Sequence, residues 1–426
     1  MTEAVVAPEA RALDAADPLA PLRGRFLLPV GADGAPLVYL CGQSLGPEPL
    51  EASARIEDVL AQWATLAVRG HHAGRAPWLG YHEQFAVPLA RLVGAAPGEV
   101  VAMNTLTVNL HLMLVSFYRP TTTRHRILIE HAAFPSDRYA LVSQLGCHGR
   151  SAADSLVEVR PRPGSDLLTT EDVVAAIERE GEALALVLLP GVQYLTGQWL
   201  DMAAITRAAR AQGARIGWDL AHAIGNVPLA LHDLDVDFAV WCSYKYLCGG
   251  PGAVAGAFVH ERHGQDGTLP RLAGWWGHDA ATRFQMGPEF VPMAGAEGWQ
   301  LSNPPVLSLA PLLAALGLFD AAGVDRLRTK SLALGARARA LIEARLAGRV
   351  TIITPAADAG HGAQLSLRLS GGAGRGRAVF ERLTAAGVIG DWREPDIIRI
   401  APAPLYNSFA DVDRAVAALA GAVDAA

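Results

Sequence analysis

Trp241-Cys242-Ser243-Tyr244-Lys245-Tyr246-Leu247-Cys248-Gly249-Gly250-Pro251-Gly252 sets a lysine between two tyrosines, after the β-prone run Phe238–Trp241 and before a Gly/Pro cluster. The apolar run reads as a buried strand and the cluster as a turn, which puts Lys245 at a strand's end beside the core. Burying an ammonium is costly, so a lysine here suits an amine nucleophile better than it suits solubility. Upstream, Arg215–Asp219 reads as a second short buried strand that ends in a carboxylate, 26 residues before the lysine. That interval has room for one crossover and another strand, so both groups can reach the same edge of a parallel sheet. Such a pair suits pyridoxal phosphate: Lys245 as the covalent partner of the cofactor aldehyde, Asp219 as the carboxylate that keeps the pyridine nitrogen protonated. A buried ion pair between neighbouring strands accounts for the same two residues equally well. The rest of the chain has to decide.

With 426 residues and 51% hydrophobic content, the chain can bury a large core and is expected to divide into two domains. Charged residues make up 18% and the net charge is −6, which favours neither nucleic acid nor an anionic membrane as partner. A small-molecule substrate fits better. There is no apolar run of about 18 residues, and the amino terminus is acidic where a signal peptide would be basic, so a cytoplasmic location is expected. Four cysteines (Cys41, Cys147, Cys242, Cys248) give no disulfide framework and read as free thiols.

Residues 1–24 are Ala/Pro-rich without a clear period and read as a partly disordered lead-in. A strand at 37–40 leads into the glycine-bracketed turn 41–47 and a helix from 49 to about 68; Ser44 in that turn can serve a substrate carboxylate or cap the helix. The loop 70–78 holds His71, His72, Arg75 and Trp78. Adjacent histidines point apart and nothing completes a ligand set, so it reads as a pocket wall and no metal is expected. Residues 103–107 open an apolar helix that runs to about 117, and its free amides around Thr107 can hold a phosphate or simply start a helix. After the strand Arg126–Glu130, Phe134 can stack on a planar cofactor or fill the core. Strand Leu184–Pro190, a helix at 201–213 and a strand at 254–259 continue a β-loop-α alternation, which implies a mainly parallel sheet with ligands at the carboxyl ends of its strands. Tryptophan-rich loops at 274–278 and 299–305 should line a pocket or a subunit interface. Residues 307–347 read as a helical bridge. A small domain then alternates strands (350–353, 364–369, Ile397–Ile400) with helices (376–386, 409–424), and Arg399 at a strand's end suits a carboxylate anchor or a surface ion pair.

Stretches 39–47, 70–78, 106–112, 134–137, 218–222, 243–245, 274–278, 302–305 and 399–409 together resemble kynureninase, and the strings WDLAHAIGN, CSYKY, LSNPP and APAPLYNSF make the likeness specific. The resemblance implies an α/β, fold type I PLP-dependent transferase-like architecture: a mainly parallel central sheet in a large domain and a smaller α+β C-terminal domain. The divisions expected are an N-terminal segment at 25–55 packing on the small domain, a large cofactor domain at 56–306, and a bridge with the small domain at 307–426. It further implies a homodimer with shared active sites. In that likeness Leu106 and Thr107 meet the cofactor phosphate, Phe134 stacks on the ring, Asp137 bonds near it and Asp219 pairs the pyridine nitrogen. His222 and Tyr244 complete the site around Lys245, Trp275 and Asn303 come from the partner chain, and Arg399 holds the substrate carboxylate. His71 and Asn303 match positions that contact the substrate's aromatic ring, which leaves L-kynurenine or 3-hydroxy-L-kynurenine as substrate, and Tyr244 is the candidate acid. Gln43 departs from the asparagine usual in the family's turn.

Three other readings are weaker. A cysteine desulfurase needs a nucleophilic cysteine in the later chain, and none follows Cys248; a nicotinamide-dependent dehydrogenase needs a G-x-G-x-x-G turn, which is missing; a non-catalytic scaffold has no use for Asp219 with Lys245.

Overall fold

The computed structural model describes residues 6–32 and 34–426. Its centre is a seven-stranded sheet of β1 (Val100–Ala102), β2 (Arg126–Glu130), β3 (Leu156–Val159), β4 (Leu184–Pro190), β5 (Arg215–Asp219), β6 (Phe238–Trp241) and β7 (Gly256–Val259). The strand order is β1-β7-β6-β5-β4-β2-β3. Strands β2 to β6 pair in parallel, and β7 runs antiparallel to both β6 and β1. The central strands are buried along nearly their whole length because helices cover both faces, which is why they are continuous apolar runs and do not alternate. Gly217 lets them close up: a Cβ there would sit 2.1 Å from the Phe238 ring, which itself stacks on Phe117 at 5.0 Å. All the parallel strands deliver their carboxyl ends, and so Glu130, Pro190, Asp219 and the residues after Trp241, to one edge.

The expected helical bridge is two helices, Val306–Ala322 and Val324–Leu346, bent by 83°. Gly323 makes the break, at φ +77°, a conformation that side chains disfavour. Beyond it, β8 (Val350–Ile352), β9 (Leu365–Leu369), β10 (Asp391–Arg393) and β11 (Ile397–Ile400) form an antiparallel sheet in the order β8-β9-β11-β10, with its own core against the helices Ala373–Ala385 and Phe409–Asp424. Val38–Tyr39 adds to this part of the molecule by pairing in parallel with Val388–Ile389. No single helix among the described residues is long and apolar enough to cross a membrane.

The amino-terminal stretch departs from the disordered lead-in expected at 1–24; residues 1–5 lie outside the described residues. Pro8–Ala16 is a helix, with Ala10 fully buried. Asp14 accepts hydrogen bonds from the N–H groups of Phe409 (2.7 Å) and Ala410 (3.0 Å), adding a second cap to the carboxy-terminal helix that Ser408 already caps. Asp17 meets Lys330 at 2.7 Å, both side chains buried. The segment is ordered by contacts more than 300 residues away, so its local composition carries no sign of them.

Removing one partner of a buried ion pair strands the other. Asp17→Ala is expected to lower the unfolding free energy by about 3 kcal/mol, measured by urea denaturation. The double replacement Asp17→Leu, Lys330→Met should recover most of it.

Candidate active site

At the carboxyl edge of the central sheet lies a cavity lined by Leu106, Thr107, Glu130, Phe134, Ser136, Asp137, Tyr194, Asp219, His222, Tyr244 and Lys245 among others. Its floor is acidic. Asp219, 6% exposed, accepts the Ala221 N–H at 2.6 Å. Burial raises its pKa, opposed by that N–H and by the Lys245 charge. Asp137 is pushed well above the usual carboxylate range, first by burial and then by the charge of Asp219, so the pair shares a proton. Glu130 is pushed up to about 8, again by burial, with Asp219 adding to it.

Lys245 is half-buried, and its side-chain amine makes no hydrogen bond or ion pair with any described residue; its Nζ lies 5.8 Å from the centre of the Phe134 ring and 6.0 Å from that of Tyr244. Phe134 is 41% exposed, unusual for a phenylalanine beside a core, with Tyr194 set edge-on to it at 5.3 Å. His222 is held neutral, its pKa well below the usual value through burial and then the charges of Lys245 and Arg399. Burial, then Cys242, raises the Tyr244 phenol, which therefore keeps its proton.

Two helices start at the rim. Leu106–Phe117 begins without a side-chain cap, and Pro135–Cys147 begins with Pro135 as its first residue. A 2.8 Å hydrogen bond between the hydroxyls of Thr107 and Ser136 joins the two starts. Free amides and hydroxyls at helix N-termini are a site for an anion such as a phosphate.

These features fit pyridoxal phosphate. Asp137 Oδ1 and His222 Nδ1 are buried without a hydrogen-bond partner, and an acid pair short of positive charge suits a pyridinium. The exposed Phe134 face offers a platform for a planar ring, and Lys245 offers an unengaged amine within about 6 Å of it.

Comparison with known proteins agrees. The aminotransferase class-V family model matches residues 38–272, and the kynureninase C-terminal domain model matches residues 327–419. Kynureninase of Stenotrophomonas maltophilia (strain K279a) is 59% identical over 412 residues, 97% of each chain, and that of Xanthomonas euvesicatoria pv. vesicatoria (strain 85-10) is 58% identical over the same share. The chain belongs to the kynureninase family. Solved structures share the fold at low identity: the cysteine desulfurase CsdA of Escherichia coli (TM-score 0.75, 19% identity, 96% of this chain and 98% of that one) and a C-DES variant with glycine covalently linked to its PLP cofactor (0.74, 18%, 90% and 96%). Kynureninase-family membership makes the chain a pyridoxal-phosphate enzyme, a hydrolase acting on a carbon–carbon bond.

The structure gathers Leu106, Thr107, Phe134, Asp137, Asp219, His222, Tyr244 and Lys245 around one cavity. It sets the other sequence candidates apart. Arg399 lies outside the lining, 1% exposed, donating to the Tyr194 carbonyl at 2.6 Å and paired with Asp391, while its Nε has no partner. Ser44 does not cap the following helix, which starts only at Ala52; its N–H donates to the Cys41 carbonyl within the turn. His71 and Asn303 line a different, apolar hollow with Trp63 and Trp78, and Trp275 lies against Phe284 and Trp276. Glu130, Ser136 and Tyr194 line the cavity although no motif singled them out. Ser136 sits inside the matched stretch 134–137, and Glu130 is the last residue of a strand read correctly, so strand-end position was the signal for it.

Where metal is concerned, the described donors that converge are Glu99, His232 and His260, at the opposite end of the strands. Glu99 there already accepts from the N–H groups of Ala96 and Glu261 and meets His232.

The turn at 41–46 sets the lysine's backbone: the Gly46 N–H donates to the Tyr244 carbonyl at 2.8 Å, and a Cβ on Gly46 would lie 2.5 Å from both the Lys245 carbonyl and Cys248 Sγ. Gly46→Ala is therefore expected to weaken cofactor binding about tenfold, a cost of ~1.4 kcal/mol, read by titrating the apoenzyme with pyridoxal phosphate. Unaltered affinity would show that the turn does not position Lys245.

Proposed function

We propose that the chain hydrolyses L-kynurenine, or its 3-hydroxy form, to anthranilate, or 3-hydroxyanthranilate, and L-alanine, as a cytoplasmic homodimer. The observation that carries this reading is the unengaged Lys245 amine facing the Asp137–Asp219 acid pair across one cavity, in a chain 59% identical to a kynureninase.

Pyridoxal phosphate, when bound, supplies a sink for the electron pair left on the amino-acid carbons. Leu106 and Thr107 would hold its phosphate, Phe134 its ring face, Asp219 with Asp137 the proton on its ring nitrogen, and Lys245 its aldehyde carbon. His222 would stand beside the ring as a neutral group. Arg399 would turn its free Nε to the substrate carboxylate. Once the substrate's amino group has replaced it at the aldehyde carbon, the Lys245 amine takes the α-proton of the substrate, and it returns that proton to the α-carbon before alanine leaves. Water adds to the γ-carbonyl carbon, the β–γ bond breaks, and the carbonyl carbon leaves as the carboxylate of anthranilate. Tyr244, kept protonated by burial, gives its proton to the β-carbon, which becomes the methyl of alanine.

The position of Trp275, Asn303 and His71 supports the dimer. They lie outside the cavity, on a face that also exposes Trp63, Phe284 and Leu307. A large apolar face of this kind suits a partner subunit, across which these residues would reach the partner's cavity and the substrate's ring. Ser44, in the turn against Lys245, would approach the substrate from this chain.

The test is to add L-kynurenine to protein loaded with pyridoxal phosphate and follow anthranilate fluorescence with alanine assayed alongside. Equal yields, abolished by Lys245→Ala, are expected; cofactor binding with neither product would remove the substrate assignment. Tyr244→Phe should retain cofactor and lower kcat at least tenfold, and an unchanged kcat would discard the acid role. For the shared site, co-expressed Lys245→Ala and Asn303→Ala chains should form hybrids in which one of the two sites is intact, so activity should exceed that of either variant alone. Strict additivity of the two separate activities would argue that each site is built from one chain.

A further inference from the structure

Three carboxylates line the cavity, and a pyridine nitrogen gives a task to only two of them. Glu130 ends β2, is 3% exposed, and its carboxylate meets its own backbone N–H but no hydrogen-bonding or ion-pairing side chain among the described residues. Around it stand Asp219 from β5, Asp137 from the helix Pro135–Cys147, and Tyr194 from the loop after β4, with His222 held neutral. Lys245 is the one cation among the described lining residues. Three ionised carboxylates against one ammonium would leave two negative charges uncompensated in a wall with little water. Like charges so placed retain protons. The Asp137–Asp219 pair retains one between its members, and the other falls to Glu130.

We propose that Glu130 is a positioning residue that acts as a neutral carboxyl, confining the negative charge of this wall to the Asp137–Asp219 pair that meets the cofactor's ring nitrogen. Burial, with Asp219 behind it, pushes Glu130 up to about 8, in keeping with a proton held at neutral pH. The inference rests on the pyridoxal-phosphate reading of the cavity but not on the identity of the substrate.

Glu130→Gln keeps the shape and the neutrality and removes the ability to ionise. In the apoenzyme the sign follows from linkage. The folded chain holds the Glu130 proton up to about 8, whereas an unfolded chain releases it near ~4.3. Glu130 therefore favours the folded state fully at acid pH and loses that contribution as pH rises through this window. The melting temperature of Glu130→Gln relative to wild type should rise by a few degrees between about pH 5 and pH 9. In the holoenzyme, a Glu130 that turns negative stabilises a neighbouring cation, so its replacement by Gln should move the alkaline absorbance transition of the bound cofactor to lower pH by about half a unit or more.

A purely structural role would displace the melting temperature alike at every pH and leave the cofactor spectrum unmoved. Superimposable spectral titrations, or parallel melting profiles, overturn the proposal. Infrared difference spectra of wild type should show a neutral-carboxyl stretch, besides that of the Asp137–Asp219 pair, that disappears as pH rises through about 8; its absence at pH 6 overturns the proposal even where the variant does not fold. None of these readouts needs turnover. Protein that shows the spectral shift but forms no anthranilate loses the substrate assignment and keeps this one. Protein that forms anthranilate without the shift loses this one alone.

Discussion

Keeping Asp219 buried at the end of a parallel strand is the constraint on which the cavity depends. Taking a carboxylate out of water costs several kcal/mol, and the fold offsets this locally. The Ala221 N–H donates to it, Lys245 attracts it, and Asp137 shares a proton with it. Each remedy places another functional group. The N–H requires the chain to turn at once after β5, which brings His222 to the cavity. Attraction to Lys245 works only if β6 delivers the lysine to the same edge, which parallel pairing of Trp218 with Ala239 and Asp219 with Val240 does. The ammonium in turn helps to keep His222 neutral. A buried acid and a half-buried amine thus set the protonation of most groups around them.

Legibility of this arrangement in the sequence followed the physics of burial. Strands β2, β4, β5 and β6 were read to the residue because both faces of each are covered, which leaves an unbroken apolar run closed by a charged, aromatic or proline residue. Two strands of the central sheet went unread: β1 has three residues, and β3 is only half-buried at the sheet's edge. The helix Pro8–Ala16 was hidden for a different reason. Its order comes from Asp14 at the amino end of the last helix and from Asp17 against Lys330, contacts that local composition cannot encode. Motif residues after β5 and β6 were legible as chemistry, whereas Glu130 and Tyr194 were not. Their importance lies in what burial and neighbours do to them, and both are properties of the fold.

The loop after β4 joins the two sheets. Three side chains of the small domain hold its backbone: Gln364 bonds the Tyr194 carbonyl at 2.9 Å, Ser366 the Leu195 carbonyl at 2.5 Å, and Thr354 the Thr196 carbonyl at 2.6 Å. Arg399 adds a second donor to Tyr194 O. The same loop carries the Tyr194 ring edge-on to Phe134 at the cavity wall. The Arg399 guanidinium is therefore tied, through one carbonyl, to the aromatic pair of Tyr194 and Phe134 at the cavity wall. Desolvation weakens Arg399's hold on its charge while Asp391 restores it, so the guanidinium remains a strong donor although almost no water reaches it. Its Nε is left as a buried donor without a partner, while the Asp391 pair holds the rest of the guanidinium.

The turn at 41–46 extends this logic to the lysine. It bonds to Tyr244 on one side, and on the other Cys41 bridges to Ala401, immediately after the strand that carries Arg399. Asn407 tightens the join by donating to the Tyr39 carbonyl while its own carbonyl accepts from Ala403 N–H. An amino-terminal strand of only two residues, Val38–Tyr39, thus leads into a turn that touches the backbone beside both Lys245 and Arg399. Glycine is needed at 42 and 46 because both approaches are too close for a side chain: a Cβ at 42 would strike the Tyr406 hydroxyl at 2.1 Å, and one at 46 the Lys245 carbonyl at 2.5 Å. A segment that contributes little to the core therefore joins the two sheets, because it touches the backbone next to Lys245 on one side and next to Arg399 on the other.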